Sequence, residues 1–292
     1  MNLSKIKRFI PWWIRIGLKI IISRLPIIGI YAFWQRFGLF KHGSMDDLSY
    51  SYRVFSEHME KSEAYPLVGK ILIEIGPGDG LSTAVIAASY GASSILIDES
   101  DFVTKDTNYL MSLCNFLKKK GLSPPNIESN DTINEILIKC NSKYLINGVE
   151  SFSEISDESI DIIFSQAVLE HVNRSDFFKM SEECYRVCKS EGVCSHQVDL
   201  RDHLGGGLNN LRFSHEVWES KFFKKSGFYT NRIQHDEIIK IFSDVGFACY
   251  KIAINRWSKL PLAKKKLSHE FKDLAMQNLT VKSFDVILKK QN

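Results

Sequence analysis

The first chemical signal in the sequence is an acid followed by three glycines at alternate positions. Glu74 closes an apolar run of strand type, glycines stand at positions 76, 78 and 80, and a helical segment, 81–90, follows at once. This order places a nucleotide-sized crevice at the carboxyl end of a strand in an open α/β sheet. Glycine suits the turn because it tolerates unusual φ/ψ angles and lets a ligand approach the backbone. The alternative is a glycine-rich turn that binds nothing.

The spacing of the glycines separates two classes of nucleotide site. A dinucleotide fingerprint, G-x-G-x-x-G, requires glycine at position 81, which is Leu81, so a nicotinamide dehydrogenase is disfavoured. A second acid, Asp98, ends the next apolar segment, 94–98. It follows the turn by roughly 20 residues, where it is placed to accept hydrogen bonds from ribose hydroxyls. Asp98 could instead cap the following helix, although Asp101 can fill that role.

The pattern E-x-G-x-G-x-G resembles the first motif of the class I S-adenosylmethionine (SAM) methyltransferases. The resemblance implies that the turn wraps the methionine part of SAM and that Glu74 lies beneath it, while Asp98 holds the ribose. The turn residues are Gly76, Gly78, Asp79 and Gly80. In this family the residues after the third strand touch the adenine, and the matching positions are Val149, Glu150 and Ser151.

A second stretch, 159–172, resembles the fourth strand and following turn of the same family, whose pattern is s-F-D-x-V-x-S-x-x-V-L-E-H-V. Ile160 replaces the usual aromatic residue of that pattern. The resemblance places Ser165 and Gln166 at the end of the strand, beside the SAM methyl group. His171 falls one turn into the next helix, where it either contacts substrate or serves as a packing or capping histidine.

A polar cluster at the end of the fifth strand, 192–200, supplies the candidate catalytic residues. A buried parallel strand usually reads as continuous apolar residues. This one contains His196 and Asp199, and Asp202 and His203 follow it. His196 and Asp199 are three positions apart, so an ideal strand points them to opposite faces. In this fold the ends of strands four and five form the acceptor pocket, so the resemblance implies that the cluster faces the substrate.

Three roles are open for this cluster. One of its side chains could be the general base that takes the proton from a hydroxyl as it attacks the methyl group. The same residues could hold Mg²⁺ or another divalent ion, or form a structural polar network. We assign no metal ligands. The catalytic candidates are His203, Asp199 and His196, and the candidate substrate contacts are Asp202, Arg212 and His171.

An aromatic and basic insertion, 208–234, follows a triple glycine and suits a substrate-recognising cap over about 204–234. Arg212 and Arg232 could bind an anionic acceptor, and the aromatic residues could stack on sugar or lipid or form a satellite core. The runs D-L-R-D-H-L-G-G-G-L-N-N-L-R-F-S (199–214) and S-G-F-Y-T-N-R (226–232) resemble a bacterial group of SAM-dependent methyltransferases often associated with surface-polysaccharide synthesis.

Charge divides the chain into a basic arm and a mildly acidic remainder. Residues 1–45 hold eight Lys/Arg and no acid, whereas the rest carries 30 basic and 34 acidic residues. Charges and prolines interrupt the apolar stretch 9–34, and its tryptophans beside cations fit a helix in a membrane interface or a segment that covers the domain. The scattered basic residues of the acidic remainder disfavour nucleic acid. The six cysteines form no C-x-x-C pair and indicate reduced cytosolic thiols.

The sequence predicts a Rossmann-like class I methyltransferase α/β fold, with a mixed seven-stranded sheet, helices on both faces and an N-terminal basic amphipathic arm. The boundaries are the arm (1–45), a linker helix (46–69) and the methyltransferase domain (70–292). Helix 235–244, strand 247–254, a basic amphipathic helix over 263–275 and strand 281–288 complete the fold.

The predicted function is SAM-dependent O-methylation of a saccharide or lipid-linked glycan. The alternative is a SAM-binding scaffold of a membrane-associated glycan-assembly complex that has lost turnover. The predicted location is the cytoplasm, or the inner face of the cell membrane through the arm. An anionic membrane surface is the expected partner of the arm, and a saccharide is the expected partner of the pocket.

Overall fold

Seven strands form one sheet in the order β3-β2-β1-β4-β5-β7-β6 in the computed structural model, which describes residues 14, 17, 47–104 and 106–291. The strands are β1 (Ile71–Ile75), β2 (Ser93–Ile97), β3 (Ser142–Leu145), β4 (Ile160–Gln166), β5 (Cys188–Asp199), β6 (Phe247–Arg256) and β7 (Val281–Lys290). The strands from β3 to β5 pair in parallel, whereas β7 lies antiparallel between β5 and β6. The predicted mixed Rossmann-like sheet is confirmed.

Helices cover both faces of the sheet. One face carries α1 (Leu48–Lys61), α2 (Ser82–Ser89), α3 (Thr107–Lys119) and α4 (Ile133–Lys139), and the other carries α5 (Phe177–Val187) and α8 (His235–Asp244). The short helices α6 (His215–Trp218) and α7 (Lys221–Lys224) lie in the cap, and α9 (His269–Lys272) and α10 (Met276–Leu279) precede β7. The central strands are therefore buried on both sides, as their apolar sequences require.

The helix expected within 46–69 is α1. The Asp47 carboxylate accepts a hydrogen bond from the Ser49 backbone N–H at 2.9 Å and caps the start of the helix. Phe55 and Met59, one turn apart, are both buried against the sheet. The helix packs beside α2 and α3. It covers one face of the sheet and does not line the crevice described below.

The segment 263–275 departs from the single amphipathic helix that its sequence predicts. It forms a 3₁₀ turn (Lys264–Lys266) and the short α9, with Ser268 between them. The Ser268 backbone N–H donates to the carbonyl of Leu211 in the cap at 2.8 Å, and Leu267 packs in the same apolar cluster as Leu211. These tertiary contacts outweigh the local helix propensity.

The cap holds its own small apolar core, which confirms the satellite-core interpretation of its aromatic residues. Its buried members are Leu204, Trp218, Phe223, Phe228 and Tyr229. Arg232 is buried beside this cluster, and its guanidinium donates to the Phe213 carbonyl at 2.7 Å and lies over the ring of Trp218. The suggestion that Arg232 binds an anionic acceptor is wrong, because its side chain is enclosed by the cap.

The predicted basic arm, 1–45, lies outside the described residues apart from positions 14 and 17. Among the helices that the structure describes, none combines the length and apolar character needed to cross a membrane.

Candidate functional site

A cavity of about 620 Å³ opens at the carboxyl ends of β1, β2 and β4. This is the size of a small-molecule or cofactor pocket. Its position at the edge where the parallel strands end is the usual ligand site of an open α/β sheet. Its described wall consists of Ile75, Gly76, Gly78, Ile97, Asp98, Glu99, Phe102, Asn147, Gly148, Val149, Glu150, Phe152, Ala167, Val168, His171, Val172, Asn173, Asp176, Lys179 and Met180.

The glycine turn forms one wall of the cavity, and two of its glycines are required by geometry. Gly76 and Gly78 adopt φ angles of +73° and +72°, which L side chains rarely tolerate. A Cβ at Gly76 would meet Val168 Cγ2 at 2.5 Å, so this backbone packs directly on the turn after β4. At Gly78 no described atom lies within 4 Å of an added Cβ. Gly78 therefore leaves room beside the backbone for a ligand.

Two acids sit at the base of the turn. Burial raises the pKa of Asp98 to about 6, against the lowering effect of hydrogen bonds from the backbone N–H groups of Glu99 and Gly78. Burial also raises the pKa of Glu74 to about 7, and the hydroxyl of Thr83 opposes this shift. Asp98 lines the cavity, whereas Glu74 is 8% exposed and does not reach the described wall. The pocket thus holds acidic groups next to a bare backbone, which suits a cationic ligand that carries ribose hydroxyls.

The far end of the cavity is built by the 3₁₀ turn Gly148–Glu154 and the start of α5. Val149 and Glu150 lie on the wall, as expected for the adenine end. The Glu150 carboxylate accepts a hydrogen bond from Lys179 Nζ at 2.5 Å, so an ion pair spans this end. Lys179 and the other cavity-lining residues near the start of α5 were not predicted from the sequence. The helix after the fourth strand contains no glycine or acid motif that would indicate a ligand site.

Three other predicted cofactor residues do not reach the described wall. The Asp79 carbonyl accepts from the Thr104 N–H at 3.0 Å, and Gly80 lies on the helix side of the turn. Gln166 faces α1, where its amide oxygen accepts a hydrogen bond from His58 Nε2 at 3.0 Å. The prediction that Gln166 lies beside the transferred group is therefore wrong. Ala167 and Val168 line the cavity instead, and Ala167 at φ +53° turns the chain after β4.

His196 is also misplaced by the sequence reasoning. It is 2% exposed, its Nδ1 is hydrogen-bonded to Ser165 Oγ at 2.8 Å, and its ring stacks on Phe242. Burial, with a smaller contribution from the charge of His58, lowers its pKa to about 3, so it stays neutral. A neutral imidazole enclosed between the sheet and α8 cannot reach an acceptor, and the catalytic prediction for His196 is wrong.

Two of the remaining predicted acids have local partners. Asp199 forms a bidentate ion pair with Arg201, whose Nη2 lies 2.6 Å from Asp199 Oδ2. Asp202 is buried, and its carboxylate accepts hydrogen bonds from the backbone N–H groups of Leu204 at 2.9 Å and Asn209 at 2.5 Å. Asp202 therefore organises the loop at the end of β5, and its assignment as a substrate contact is wrong.

Arg212 and His203 lie on the loop that follows β5, and His203 lies beside a residue of the cavity wall. Arg212 Nε donates to Asn209 Oδ1 at 3.0 Å, on the same loop that Asp202 organises. His203 is exposed, and its ring centroid lies 4.8 Å from that of His171, which lines the cavity. The structure thus brings together His171 and His203, which the sequence separates by 32 positions. Neither spacing nor motif signals this approach, because it depends on how the cap loop folds back.

Glu170 completes this group and was not singled out by the sequence. Its carboxylate is 1% exposed and has no well-aligned hydrogen-bond partner among the described residues. Burial raises the pKa of Glu170 to about 8, an effect that the nearby Asp199 charge reinforces and the backbone N–H groups of Glu170 and Asp199 oppose. An acid inside the apolar run V-L-E-H-V was the only available sequence signal.

Comparison with known proteins gives a family match to part of the chain and a set of similar solved structures. A family model described as "Methyltransferase domain" matches residues 73–195. No curated protein matches the sequence. Among solved structures, the chain is similar to a *Haemonchus contortus* phosphoethanolamine N-methyltransferase 2 in complex with S-adenosyl-L-methionine, at 14% identity and a TM-score of 0.49. That match covers 91% of this chain and 61% of the nematode chain, so the chain spans less than two thirds of that enzyme's length.

Two further structures give the same general likeness. A SAM-dependent methyltransferase from Archaeoglobus fulgidus is 14% identical, with 89% of this chain and 99% of that chain covered and a TM-score of 0.44. An S-adenosylmethionine-dependent methyltransferase from Listeria monocytogenes is 16% identical, with 81% and 98% covered and a TM-score of 0.44.

The family match begins in β1, ends in β5 and includes the glycine turn, Asp98 and the adenine-side turn. The cavity fits the cofactor of this family in volume, in the bare backbone at Gly78 and in its acidic lining. The match to a methyltransferase domain is therefore confined to residues 73–195, which hold the glycine turn and Asp98.

Proposed function

We propose that this domain methylates a hydroxyl oxygen of a saccharide or lipid-linked glycan. The observation that carries the proposal is one continuous cavity, with the glycine turn and Asp98 on one wall and the imidazole of His171 on another. A nucleotide-like cofactor and an acceptor can therefore meet in the same space. The likeness of the runs 199–214 and 226–232 to the bacterial surface-polysaccharide group supports a sugar acceptor.

The chain's own residues contribute binding, orientation and exclusion of water. Bound SAM supplies an electrophilic methyl group on a positively charged sulfur. Asp98 would accept hydrogen bonds from the ribose, Val149 and Glu150 would flank the adenine, and the backbone at Gly76 and Gly78 would contact the methionine part. Glu74 supports the turn from below. Holding the two reactants in line in a partly closed pocket is the main source of rate in such a transfer.

The acceptor side is formed by His171, His203 and Arg212. An acceptor hydroxyl beside the two imidazoles has a group at hand that can take its proton as the new C–O bond forms. Asp199 is paired with Arg201, and its negative charge acts on the neighbouring Glu170. We assign Asp199 no direct contact with the acceptor. Arg212, on the cap loop, supplies a positive charge that suits an anionic sugar or a phosphate-linked lipid.

We also propose that the basic arm holds the protein at an anionic membrane surface. Eight Lys/Arg without an acid in residues 1–45, interleaved with tryptophans, support this role. A membrane-associated acceptor such as a lipid-linked glycan would then reach the pocket at high local concentration.

Calorimetric titration of the purified protein with SAM, and separately with NADH, tests the cofactor. We expect micromolar SAM binding and none with NADH. Gly78→Arg should abolish binding because the side chain would fill the open space at that turn and strain a backbone at φ +72°. Asp98→Asn should weaken binding about 10-fold, since a charge-assisted hydrogen bond contributes roughly 1.5 kcal/mol or more.

Asp101→Asn is the matched control for Asp98→Asn, because Asp101 is exposed and does not line the described cavity wall. Equal SAM affinity in the wild type and Gly78→Arg would overturn the cofactor site. With SAM binding established, methyl transfer from labelled SAM to saccharide acceptors tests the reaction. Binding without transfer to any saccharide or lipid-linked saccharide would count against the proposed acceptor class.

A further inference from the structure

The Glu170 carboxylate is a buried acid without a matching partner. It is 1% exposed, and neither oxygen has a well-aligned hydrogen bond among the described residues. Leaving a carboxylate in this condition is costly, so buried acids in folded proteins usually pair with a cation or coordinate a metal. The charge of Arg201 acts on Glu170, but the Arg201 guanidinium is engaged by Asp199 in a bidentate pair.

Two imidazoles face this carboxylate. One ligand atom each from Glu170, His171 and His203 lies within 4.8 Å of the other two. The His171 Nδ1–H donates to the Tyr229 carbonyl at 3.0 Å, which fixes the proton on Nδ1 and leaves Nε2 with its lone pair. A histidine whose other ring nitrogen is tied to a carbonyl is the usual form of a metal-ligating histidine.

The backbone that carries Glu170 and His171 is held rigidly by the cap. Asn231 is fully buried, and its backbone N–H donates to the Glu170 carbonyl at 2.7 Å. Its side-chain amide donates to the carbonyls of Leu169 at 2.8 Å and Val172 at 2.9 Å. One cap residue therefore fastens the turn at three points. Such support is what a preorganised ligand set requires.

We propose that Glu170, His171 and His203 form a binding site for a divalent transition-metal ion such as Zn²⁺ at the acceptor side of the cavity. Two imidazoles and one carboxylate suit Zn²⁺ or Fe²⁺ better than Mg²⁺ or Ca²⁺, which prefer oxygen ligands. Tetrahedral ligands about 2.1 Å from one ion lie about 3.4 Å apart. The widest pair of the cluster must therefore close by about 1.4 Å, and His203, on an exposed loop, can supply that movement.

Three protein ligands leave a coordination position open on the ion, and one of the three, His171, lines the cavity. The catalytic role of the ion rests on the proposed function. An acceptor hydroxyl that reaches the ion loses its proton to solvent more readily, so the two imidazoles need not accept it. Its oxygen lone pair then forms the C–O bond to the methyl carbon, and the C–S bond breaks with its electron pair remaining on sulfur. The sulfonium becomes the neutral thioether of S-adenosylhomocysteine.

The test is direct metal binding by the full chain after treatment with a chelator and desalting. Titration with Zn²⁺ by calorimetry and with Co²⁺ by visible absorption should each give one equivalent of tight binding, and Mg²⁺ should not compete. Glu170→Gln and His203→Ala should each weaken Zn²⁺ binding at least about 10-fold. His203→Ala alters only an exposed side chain, so its result does not depend on the folding of the core.

His269→Ala is the matched control, because this histidine is 82% exposed on α9 outside the cluster. Its Zn²⁺ affinity should equal that of the wild type. Zn²⁺ binding weaker than millimolar, or equal in the wild type and His203→Ala, would overturn the site. SAM titration of the same samples separates the two proposals. If the protein binds SAM but not Zn²⁺, the proposed metal site is wrong and the proposed function stands. If it binds Zn²⁺ but not SAM, the proposed function is wrong and the metal site stands.

Discussion

Asp98 lines the cavity and accepts a hydrogen bond from the backbone N–H of Gly78 in the glycine turn. Burial brings the pKa of its carboxyl group close to neutral pH. Its pKa is raised to about 6 by desolvation, so a modest fall in pH protonates it in the ligand-free protein. A carboxylate accepts from two ribose hydroxyls better than a carboxylic acid does, because the acid has lost acceptor capacity. Cofactor affinity should therefore respond to pH through this residue.

We predict that the contribution of Asp98 to SAM affinity falls about 10-fold between pH 7 and pH 5. The measurement is calorimetric Kd across this range for the wild type and Asp98→Asn. The difference between the two proteins isolates Asp98, since Glu74, with its pKa near 7, titrates in both. A constant ratio of the two Kd values from pH 7 to pH 5 would contradict the role of Asp98.

Local backbone geometry determines which of the predicted residues line the cavity. Gly76 and Gly78 have positive φ angles, and Asp98 ends its strand at the cavity, so the chain order alone places them. His196 and Gln166 were misplaced because local sequence does not say which side chain at a strand end turns toward the ligand. Their positions depend on contacts with α8 and α1 that are remote in sequence.

At the scale of elements, α1 is tied to the sheet by a buried histidine. His58 Nε2 donates to Gln166 Oε1 at 3.0 Å, and its Nδ1 accepts from the Ser195 hydroxyl at 2.7 Å. These bonds join the helix to β4 and β5 at once. Burial lowers the pKa of His58 to about 4, although the hydrogen bond to Gln166 acts in the opposite direction.

The attachment of α1 should weaken in acid. An unfolded histidine takes a proton near pH 6.5, whereas folded His58 stays neutral to about pH 4, so the unfolded state binds more protons between these values. The contribution of neutral His58 to the free energy of unfolding is therefore fully present above pH 6.5 and decreases as the pH falls toward 4. His58 alone should remove about 2 kcal/mol from the free energy of unfolding between pH 7 and pH 5.

Urea unfolding of the wild type, His58→Gln and His269→Gln at both pH values checks this expectation. His58→Gln should be less stable at pH 7, because buried hydrogen bonds are lost, but should lose about 2 kcal/mol less on acidification. His269→Gln, which changes an exposed side chain, should follow the wild type. Equal acid sensitivity in all three proteins would refute the role of His58.

Element prediction succeeded where periodicity and turn signals were strong, as in β1, α2 and β2. It failed over 263–275, where a helical pattern is broken by packing on the cap. The Ser268 backbone bonds to Leu211, and the buried Leu267 joins the same apolar cluster. Propensity within a window carries no information about such a partner more than 50 positions away.

At the scale of the whole molecule, charge separates the arm from the domain. Arg15, Lys19 and Arg24 lie among apolar residues of the arm, and each cation near an anionic bilayer contributes about 1 kcal/mol of attraction. We therefore predict that the full chain sediments with vesicles containing phosphatidylglycerol but not with pure phosphatidylcholine. Changing all three to Gln should weaken this binding about 100-fold or more at low salt.

The matched control replaces Lys264, Lys265 and Lys266 of the domain with Gln, which removes the same charge from a described surface turn. This variant should bind the vesicles as the wild type does. Equal losses in both triple variants would show nonspecific attraction by net charge. Binding that persists in the arm variant would assign the arm another partner.

Because Asn231 fastens the turn that follows β4, the cap and the nucleotide-binding half cannot be exchanged independently between proteins. A chimera that transplants 204–234 onto another domain of this architecture must carry a compatible 169–172 turn, or the graft will lack its three anchoring hydrogen bonds. The cap and the turn that follows β4 must therefore change together if the three hydrogen bonds of Asn231 are to be kept.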